Sequence, residues 1–196
     1  MNNIIFRPAM PQDASAIVPL ILAAGGGIFE FLLSDLLVDI TLEELLISEI
    51  IKETGNLSYS KIEVAQINHK IVGLTNIYPA KDYGITEEMR QFLAPNKLDW
   101  LTDLFTRRVE DSLLLNILAV APQYQRQGIG TKLINRVKEK AQSEEFSCLS
   151  LTVWTDNLAA LQLYQRQGFQ EVKPIQVNFH PLIPHHGGLK LMQCLL

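Results

Sequence analysis

Cysteine is scarce in this sequence, which has only Cys148 and Cys194 among 196 residues. Two thiols in a chain of this length exclude a disulfide framework, and neither has neighbours at metal-ligand spacing, so no metal site is expected. Basic residues are not in excess either, because 17 of them face 21 acidic residues, for a net charge of −4. That charge disfavours binding to nucleic acid, which needs a basic face on the protein.

Long apolar runs are also absent from the chain. The most apolar early stretch, Ile17 to Ala24, is far too short to span a bilayer, and no later segment is long enough. Met1 to Pro11 contain no apolar run of the kind found in signal peptides. We therefore expect a cytoplasmic protein with no membrane contact. Apolar residues still make up 47% of the sequence, enough for one packed domain over residues 1–196.

The first part of the chain is predicted to form a short strand over 4–7 and then two helical regions. Asp13 is expected to cap the first helix, which Gly25-Gly26-Gly27 ends. The second region covers 28–53 and is broken near Thr41, a residue type that caps helices well.

Later stretches have the patterns of strands. Alternating residues over 62–66 and 71–78 flank a turn at Asn68-His69, which predicts a β-hairpin. The almost wholly apolar run from Leu113 to Val120 predicts a buried central strand. Further strands are predicted at 149–154, 172–177 and 189–195.

Between the hairpin and the central strand lies a predicted helical insertion over 79–111. Its apolar residues recur at turn spacing, at Phe92, Trp100, Leu101, Leu104 and Phe105. The sequence leaves open whether this segment packs against the sheet, lines a substrate pocket or forms a homodimer contact.

The strongest local motif is Gln125-Arg126-Gln127-Gly128-Ile129-Gly130, which precedes an amphipathic helix with apolar residues at Ile129, Leu133, Val137 and Ala141. Backbone amides at such a helix start form an anion site, and glycines let a phosphate approach the backbone. The dinucleotide fingerprint would need a third glycine at Leu133, and a P-loop would need Gly-Lys-Ser/Thr. On its own the motif also fits an ordinary glycine turn between a strand and a helix.

A second segment runs from Asn157 to Tyr164 and ends at Gly168-Phe169. Ordinary structural roles are available for its residues, with Asn157 as an N-cap, Gly168 as a helix-ending residue and Tyr164 as a core tyrosine.

Together the two segments resemble the GCN5-related N-acetyltransferase (GNAT) superfamily. The resemblance starts at Ile117-Leu118-Ala119-Val120-Ala121-Pro122, runs through the 125–130 loop and ends at Gly168-Phe169. The opening Phe6-Arg7-Pro8-Ala9 is similar to the start of the same family. The resemblance implies an α/β (α+β) fold with a mixed, mostly antiparallel sheet of about seven strands and helices on both faces. Two central parallel strands would splay apart to admit the cofactor.

The resemblance also implies a role for particular residues. Acetyl-CoA would be the acyl donor and co-substrate, and Tyr164 would protonate its departing thiolate. The pantetheine arm would pair with the backbone of the central strand, and loop amides would hold the pyrophosphate. The residues implied to contact the cofactor are Leu118, Ala119, Val120, Gln125, Arg126, Gln127, Gly128, Ile129, Gly130, Thr131 and Asn157.

The general base is where the sequence departs from the family. Many members place a glutamate on the fourth strand, whereas Leu113 to Val120 contains no acid. Asn116 could at best position a water, and a strand amide near Leu118 is a candidate donor to the oxyanion. The sequence therefore identifies an acid but no base.

Two glycine-containing segments keep alternatives open. His185-His186-Gly187-Gly188 is an exposed turn in the simplest interpretation, although in similar proteins this loop borders the acceptor, and a metal site would need more converging ligands. Gly25-Gly26-Gly27 is either a helix stop or a mobile lip over the cleft, with Glu30 or Asp35 contacting an amine.

The function expected from the resemblance is transfer of an acetyl group from acetyl-CoA to a primary amine of a small molecule, amino acid or peptide. The amine would attack directly in a ternary complex. An acyltransferase for a different acyl group and a non-catalytic CoA-binding sensor are the alternatives, and the missing strand acid keeps the sensor open. A nucleotide-binding domain of another class would bind NAD instead of CoA.

Overall fold

The computed structural model describes residues 3–100 and 102–196, which contain a seven-stranded sheet in the order β1-β2-β3-β4-β5-β7-β6. The strands are β1 (Ile5–Pro8), β2 (Ile62–Ile67), β3 (Lys70–Pro79), β4 (Leu113–Val120), β5 (Cys148–Trp154), β6 (Gln170–Ile175) and β7 (Leu189–Leu195). Neighbouring strands are antiparallel except β4 and β5, which are parallel. The mixed, mostly antiparallel sheet predicted from the sequence is confirmed.

Helices cover both faces of this sheet. They are α1 (Ala14–Gly25), α2 (Ile28–Leu33), α3 (Leu42–Ile50), α4 (Glu87–Phe92), α5 (Pro95–Trp100), α6 (Thr102–Thr106), α7 (Ile129–Ser143) and α8 (Leu158–Arg166). On one face, α1 and α3 pack with β2, β3 and β4, and Ile17 and Ile21 are fully buried there. On the other face α7 buries Leu133 and Ile134.

The connection between β3 and β4 contains α4, α5 and α6, in agreement with the helical pattern predicted over 79–111. Leu101, which was part of that pattern, lies outside the described residues. None of the helices described is by itself long and apolar enough to cross a bilayer. Two helical stretches that meet at a 100° bend, Pro11–Gly25 and Ile28–Leu36, reach the required length and composition only when they are taken together.

Two local predictions in the first half of the chain are confirmed by backbone geometry. Thr41 caps α3, because its hydroxyl accepts a hydrogen bond from the Glu44 N–H at 3.1 Å. The turn between β2 and β3 places Asn68 and His69 at φ values of 48° and 63°, the left-handed conformation that a tight two-residue hairpin requires.

Asp13 has a different role from the predicted one. It stands at the N-cap position of α1, but its side chain makes no capping hydrogen bond. Its carboxylate instead accepts from the Arg7 guanidinium at 2.7 and 2.9 Å and from the Met10 N–H at 2.8 Å. A buried carboxylate is better stabilised by a cation than by a single helix amide, so Arg7 ties the end of β1 to the start of α1.

The strands β4 and β5 separate soon after they begin. They pair only where Leu113 faces Leu149 and Leu114 faces Ser150. The predicted splay of the two central parallel strands is therefore present, and the rest of the β4 edge has no strand beside it.

A β-bulge lies at the point where the two strands part. Asn76 pairs with Ile117 and Ile77 pairs with Leu115, so Asn116 has no partner on β3. A bulge bends its strand and shifts the side-chain alternation by one. Accordingly Leu115 packs with α7 and α8, whereas Ile117 packs with α1 on the opposite face. The Asn116 Nδ2 donates to Asn76 Oδ1 at 2.9 Å and holds the bulge.

Candidate active site

The gap between β4 and β5 opens into a cleft of about 360 Å³. One wall is the segment of β4 from Leu115 to Leu118, and the facing wall is formed by the end of β5 and by Tyr164 of α8. Residues from the end of α1, from α2 and from the β3–β4 connection also line it, among them Phe29, Leu104 and Phe105. The cleft therefore joins the segments that carry the sequence motifs to segments that carry none.

The open edge of β4 presents backbone groups to this gap. The Ala121 N–H donates to Val72 O on β3 at 2.8 Å. Because peptide groups alternate sides along a strand, Leu118 and Val120 direct theirs away from β3 and Ala119 directs its groups toward β3. The Val120 carbonyl already accepts from Gln125 Nε2 at 3.0 Å. What the edge offers a ligand is thus the Leu118 peptide group and the Val120 N–H.

The loop after β4 ends in a row of amides without partners. In the part of the chain that the structure describes, the N–H groups from Arg126 to Thr131 donate no hydrogen bond of ordinary geometry, whereas Lys132 N–H donates to Gly128 O at 3.1 Å. The positive end of the α7 dipole adds to these donors. Positive φ angles at Arg126 (60°) and Gly128 (79°) curve the loop into an anion-binding shape.

The two glycines of the motif serve different purposes. A Cβ at Gly128 would meet nothing within 4 Å, so this position borders open space and needs glycine for its backbone angle. A Cβ at Gly130 would lie 3.2 Å from Leu163 Cδ2, so Gly130 lets α7 pack closely on α8.

Asn157 and Tyr164 both line the cleft. Asn157 also caps α8, since its Oδ1 accepts from the Ala160 N–H at 3.1 Å. The Tyr164 ring packs edge-on against Phe169, with ring centroids 5.7 Å apart. Its hydroxyl has no hydrogen-bond partner among the described residues, and burial raises the pKa of Tyr164, so the phenol stays protonated at neutral pH.

The sequence interpretation missed a polar pair on the far side of the cleft. His185 lines the cleft, its Nδ1 lies 2.8 Å from Asp156 Oδ1, and its ring stacks on Trp154 at 4.6 Å. The sequence left two interpretations of His185 open, an exposed turn or a contact with the acceptor. Because His185 lines the cleft, the structure does not favour the simple exposed turn. The only sequence signal was the His-His-Gly-Gly run, because nothing around Asp156 indicated a partner 29 residues away.

The acidic residues proposed for the glycine lip lie outside the cleft wall. Asp35 is already paired, with its Oδ2 2.9 Å from Lys97 Nζ. Glu30 has a buried Oε2 with no hydrogen-bond partner among the described residues. The lip itself is fixed by contact, since a Cβ on Gly26 would lie 2.5 Å from Trp154 Nε1.

The aromatic residues of the β3–β4 connection do not share one role, and only some of them line the cleft. Phe105 is buried and lines the cleft. Trp100 contacts Phe31 at 4.8 Å between centroids, and Phe92 is 62% exposed. In the described ranges no group of three or more His, Cys, Asp or Glu residues is arranged to hold a metal ion.

Solved structures with a similar architecture include acetyltransferases. The chain overlays on an N-acetyltransferase from Staphylococcus aureus Mu50 with a TM-score of 0.72 and 20% identity, over 96% of this chain and 99% of the other. It also overlays on the diaminobutyrate acetyltransferase EctA from Paenibacillus lautus in complex with L-2,4-diaminobutyric acid and coenzyme A. There the TM-score is 0.62 at 13% identity, over 100% and 96% of the two chains. The chain therefore has the fold of this class of acetyltransferases.

Sequence comparison narrows this class to a family. Residues 37–169 match the acetyltransferase (GNAT) family, and the chain belongs to that family. The chain is also similar to the [ribosomal protein bS18]-alanine N-acetyltransferase of Escherichia coli (strain K12), with 37% identity over 76 residues. That match covers 39% of this chain and 51% of the relative, so the chain spans about half the length of the curated relatives it matches.

Proposed function

We propose that this protein transfers an acetyl group from acetyl-CoA to a primary amine by direct attack in a ternary complex. The observation that carries the proposal is the open edge of β4, which stands beside unpartnered amides at the start of α7. An extended polar arm fits the first feature, and a pyrophosphate fits the second.

The cofactor contacts follow from the orientation of the backbone. The arm would pair with the Leu118 peptide group and the Val120 N–H, while Ala119 contributes only by position because its groups face β3. The amides from Arg126 to Thr131, including those of Gln127, Gly128, Ile129 and Gly130, would bind the pyrophosphate. Gln125 supports this arrangement indirectly, since its side chain fixes the Val120 carbonyl. Asn157 would lie beside the arm at the start of α8.

The chemistry needs a donor for each charge that develops. As the amine attacks the thioester carbonyl, the Leu118 N–H is oriented to donate to the oxyanion. Tyr164 then gives its phenolic proton to the sulfur as the C–S bond breaks. The unpartnered hydroxyl and the raised pKa of Tyr164 support this role, because the proton is held until a strong acceptor forms.

The acceptor is proposed to be a primary amine on a small molecule, amino acid or peptide. In the described part of the chain, the lining of the cleft contains no Asp, Glu, Lys or Arg side chain. An amine that arrives uncharged is therefore favoured. The relatives named above act on the alanine of a ribosomal protein and on diaminobutyrate, which sets the compounds worth testing first.

The test is thiol release from acetyl-CoA with four amines: an alanine-terminated hexapeptide, L-2,4-diaminobutyrate, L-lysine and spermidine. We expect CoA to bind by calorimetry, at least one amine to release thiol, and the product to gain the mass of one acetyl group. CoA binding without thiol release from any amine would favour the sensor. Faster release from a longer acyl-CoA would change the acyl group, and binding of NAD in place of CoA would refute the proposal.

A further inference from the structure

The cleft proposed to bind the acceptor is lined by a histidine whose ring is paired with an aspartate outside the lining, an arrangement that the family resemblance does not supply. His185 comes from the connection between β6 and β7, and Asp156 comes from the turn between β5 and α8. The two are joined through His185 Nδ1 and Asp156 Oδ1 at 2.8 Å. Asp156 Oδ2 accepts from the His186 N–H at 2.9 Å, so both carboxylate oxygens hold the same connection.

The imidazole ring is fixed on its other sides as well. It stacks on the Trp154 indole with an interplanar angle of 9°. A Cβ on Gly26 would lie 2.6 Å from His185 Nε2, so the glycine turn after α1 leaves room for this nitrogen only because residue 26 has no side chain. Thr155 Oγ1 lies 2.9 Å from the His186 carbonyl and secures the next residue.

The pairing decides which nitrogen is free. Burial opposes ionisation of Asp156, but hydrogen bonds from the His186 N–H and from His185 outweigh it and hold the pKa of Asp156 below its ordinary value. An ionised carboxylate accepts from Nδ1–H, which leaves the lone pair of a neutral imidazole on Nε2. Among the described residues, the fully buried polar side-chain atoms that lack a hydrogen-bond partner are Glu30 Oε2 and Thr75 Oγ1. His185 Nε2 also lacks a partner but does not belong to this fully buried set, so it remains accessible.

No other side chain in the described lining of the cleft can accept a proton at neutral pH. The lining holds no carboxylate. Its tyrosines, Tyr78, Tyr83 and Tyr164, have pKa values raised by burial and remain protonated. Asn116 is engaged in the bulge through its Nδ2. This leaves His185.

We propose that His185 is the general base that removes the proton from the attacking amine, and that Asp156 is the positioning residue that orients its ring. The inference rests on the proposed acetyl transfer. The amine nitrogen forms a bond to the thioester carbon while the C=O electron pair moves to oxygen, and His185 Nε2 takes the N–H proton. The carbonyl re-forms as the C–S pair leaves with sulfur, which takes the Tyr164 proton. Transfer of the His185 proton to the phenolate through solvent restores both groups.

The experiment compares His185→Gln and Asp156→Asn with a matched control, His186→Gln. His186 stacks on Phe179 and does not line the cleft. Its substitution therefore makes the same chemical change at the neighbouring residue, outside the cleft. With the fastest of the four amines, His185→Gln is expected to lose about 100-fold or more in kcat/KM, a usual size for a general base. Asp156→Asn is expected to lose less, and His186→Gln to match the unmodified protein, with CoA affinity equal in all.

The pH profile separates a base from a packing residue. The groups that face His185 are Asp156 from the β5–α8 turn, Trp154 from β5 and Gly26 from the α1–α2 turn, and of these three only Asp156 carries an ionisable side chain. A base that acts in its neutral form makes kcat/KM rise with pH on the acid limb of the profile. That limb should vanish in His185→Gln, and added imidazole should restore turnover to His185→Ala.

Side-chain ¹⁵N NMR gives a readout that needs no turnover. The pairing predicts the Nδ1–H tautomer for His185, and a loss of this preference in Asp156→Asn. Absence of thiol release from every amine in the unmodified protein would refute the proposed function, not the pairing. An active protein whose His185→Gln variant keeps both its rate and its pH profile would overturn the base, as would an Nε2–H tautomer.

Discussion

The two sides of the cleft are built from different parts of the protein. The cofactor side, defined as residues 113–166 from β4 to the end of α8, offers backbone groups held by regular structure. The acceptor side, defined as the Gly25–Gly27 turn, the β3–β4 connection and the β6–β7 connection, offers side chains from segments far apart in sequence. Backbone donors suit a cofactor, which does not change from one acceptor to another. Side chains, in contrast, can be replaced to suit a different acceptor.

The largest effect is expected from a charge on the cofactor side. Gly128→Asp places a carboxylate where a Cβ meets open space beside the loop amides. At ~4 Å, two like charges repel by about 4 kcal/mol near a protein surface. CoA affinity measured by calorimetry should therefore fall by about 100-fold or more. The matched control is Gly55→Asp, where φ is also positive and a Cβ also meets open space. Equal CoA affinity in the two folded variants would contradict the pyrophosphate site.

A smaller effect is expected where the two sides meet. Tyr164→Phe keeps the packed ring and removes only the hydroxyl, so a general acid would lose roughly tenfold to a few hundredfold in kcat, given ~10²–10⁴ for such groups and partial replacement by water. CoA affinity and thermal stability should change little. Tyr83→Phe is the control, because Tyr83 also lines the cleft and burial also raises its pKa. Unaltered turnover in Tyr164→Phe, with chemistry rate-limiting, would make Tyr164 structural.

The same division explains which features were predictable from the sequence. On the cofactor side, the spacing of Ile129, Leu133 and Val137 and the glycines before them indicated a helix with an anion site at its start. Each signal is local, because helix periodicity and turn angles depend on residues close in sequence.

The features that were missed depend on contacts between distant residues. The bulge at Asn116 is held by a hydrogen bond to Asn76, 40 residues earlier in the sequence. The His185–Asp156 pair joins residues that are 29 positions apart. Asp13 was expected to cap α1 because its residue type favours that position, yet a guanidinium from β1 competes for the same carboxylate. Such partners come together only in the folded sheet, so no local sequence pattern predicts these contacts.

A substitution on the acceptor side should lower acetyl transfer without changing CoA binding, and so show that the two sides act independently. Gly26→Ala adds a Cβ at a φ of +58°, within 2.6 Å of His185 Nε2. The left-handed backbone alone costs about 1–2 kcal/mol with a side chain, and the contact with His185 and Trp154 adds to that. Thermal unfolding should show the loss, and thiol release should fall while CoA affinity stays unchanged. Gly55→Ala shares the backbone cost without the contact. A loss of CoA affinity in Gly26→Ala would show that the two sides are not separable.

The smallest effect concerns the anchor of α1, the helix that ends in the acceptor-side turn. Asp13 is buried, with a side-chain exposure of 10%, and binds Arg7 through both oxygens. Asp13→Asn weakens these charged hydrogen bonds, which should cost about 2 kcal/mol, or roughly 4–8 °C in Tm for a chain of this size. The exposed pair Lys140–Glu144 provides the control, because Glu144→Gln should change stability little.

The pH dependence identifies the ion pair as the cause of that loss. The hydrogen bond from Arg7 lowers the pKa of Asp13, against the opposing effect of burial. As the pH falls, the unfolded chain therefore takes up the proton first, near its ordinary pKa of about 3.9. The contribution of the pair is complete above that value and disappears as the pH falls through the lower pKa of the folded state. The stability gap between the unmodified protein and Asp13→Asn should be constant near neutrality and shrink in this acidic window. A gap that stays the same down to the lowest pH would mean that packing, and not charge, fixes the start of α1.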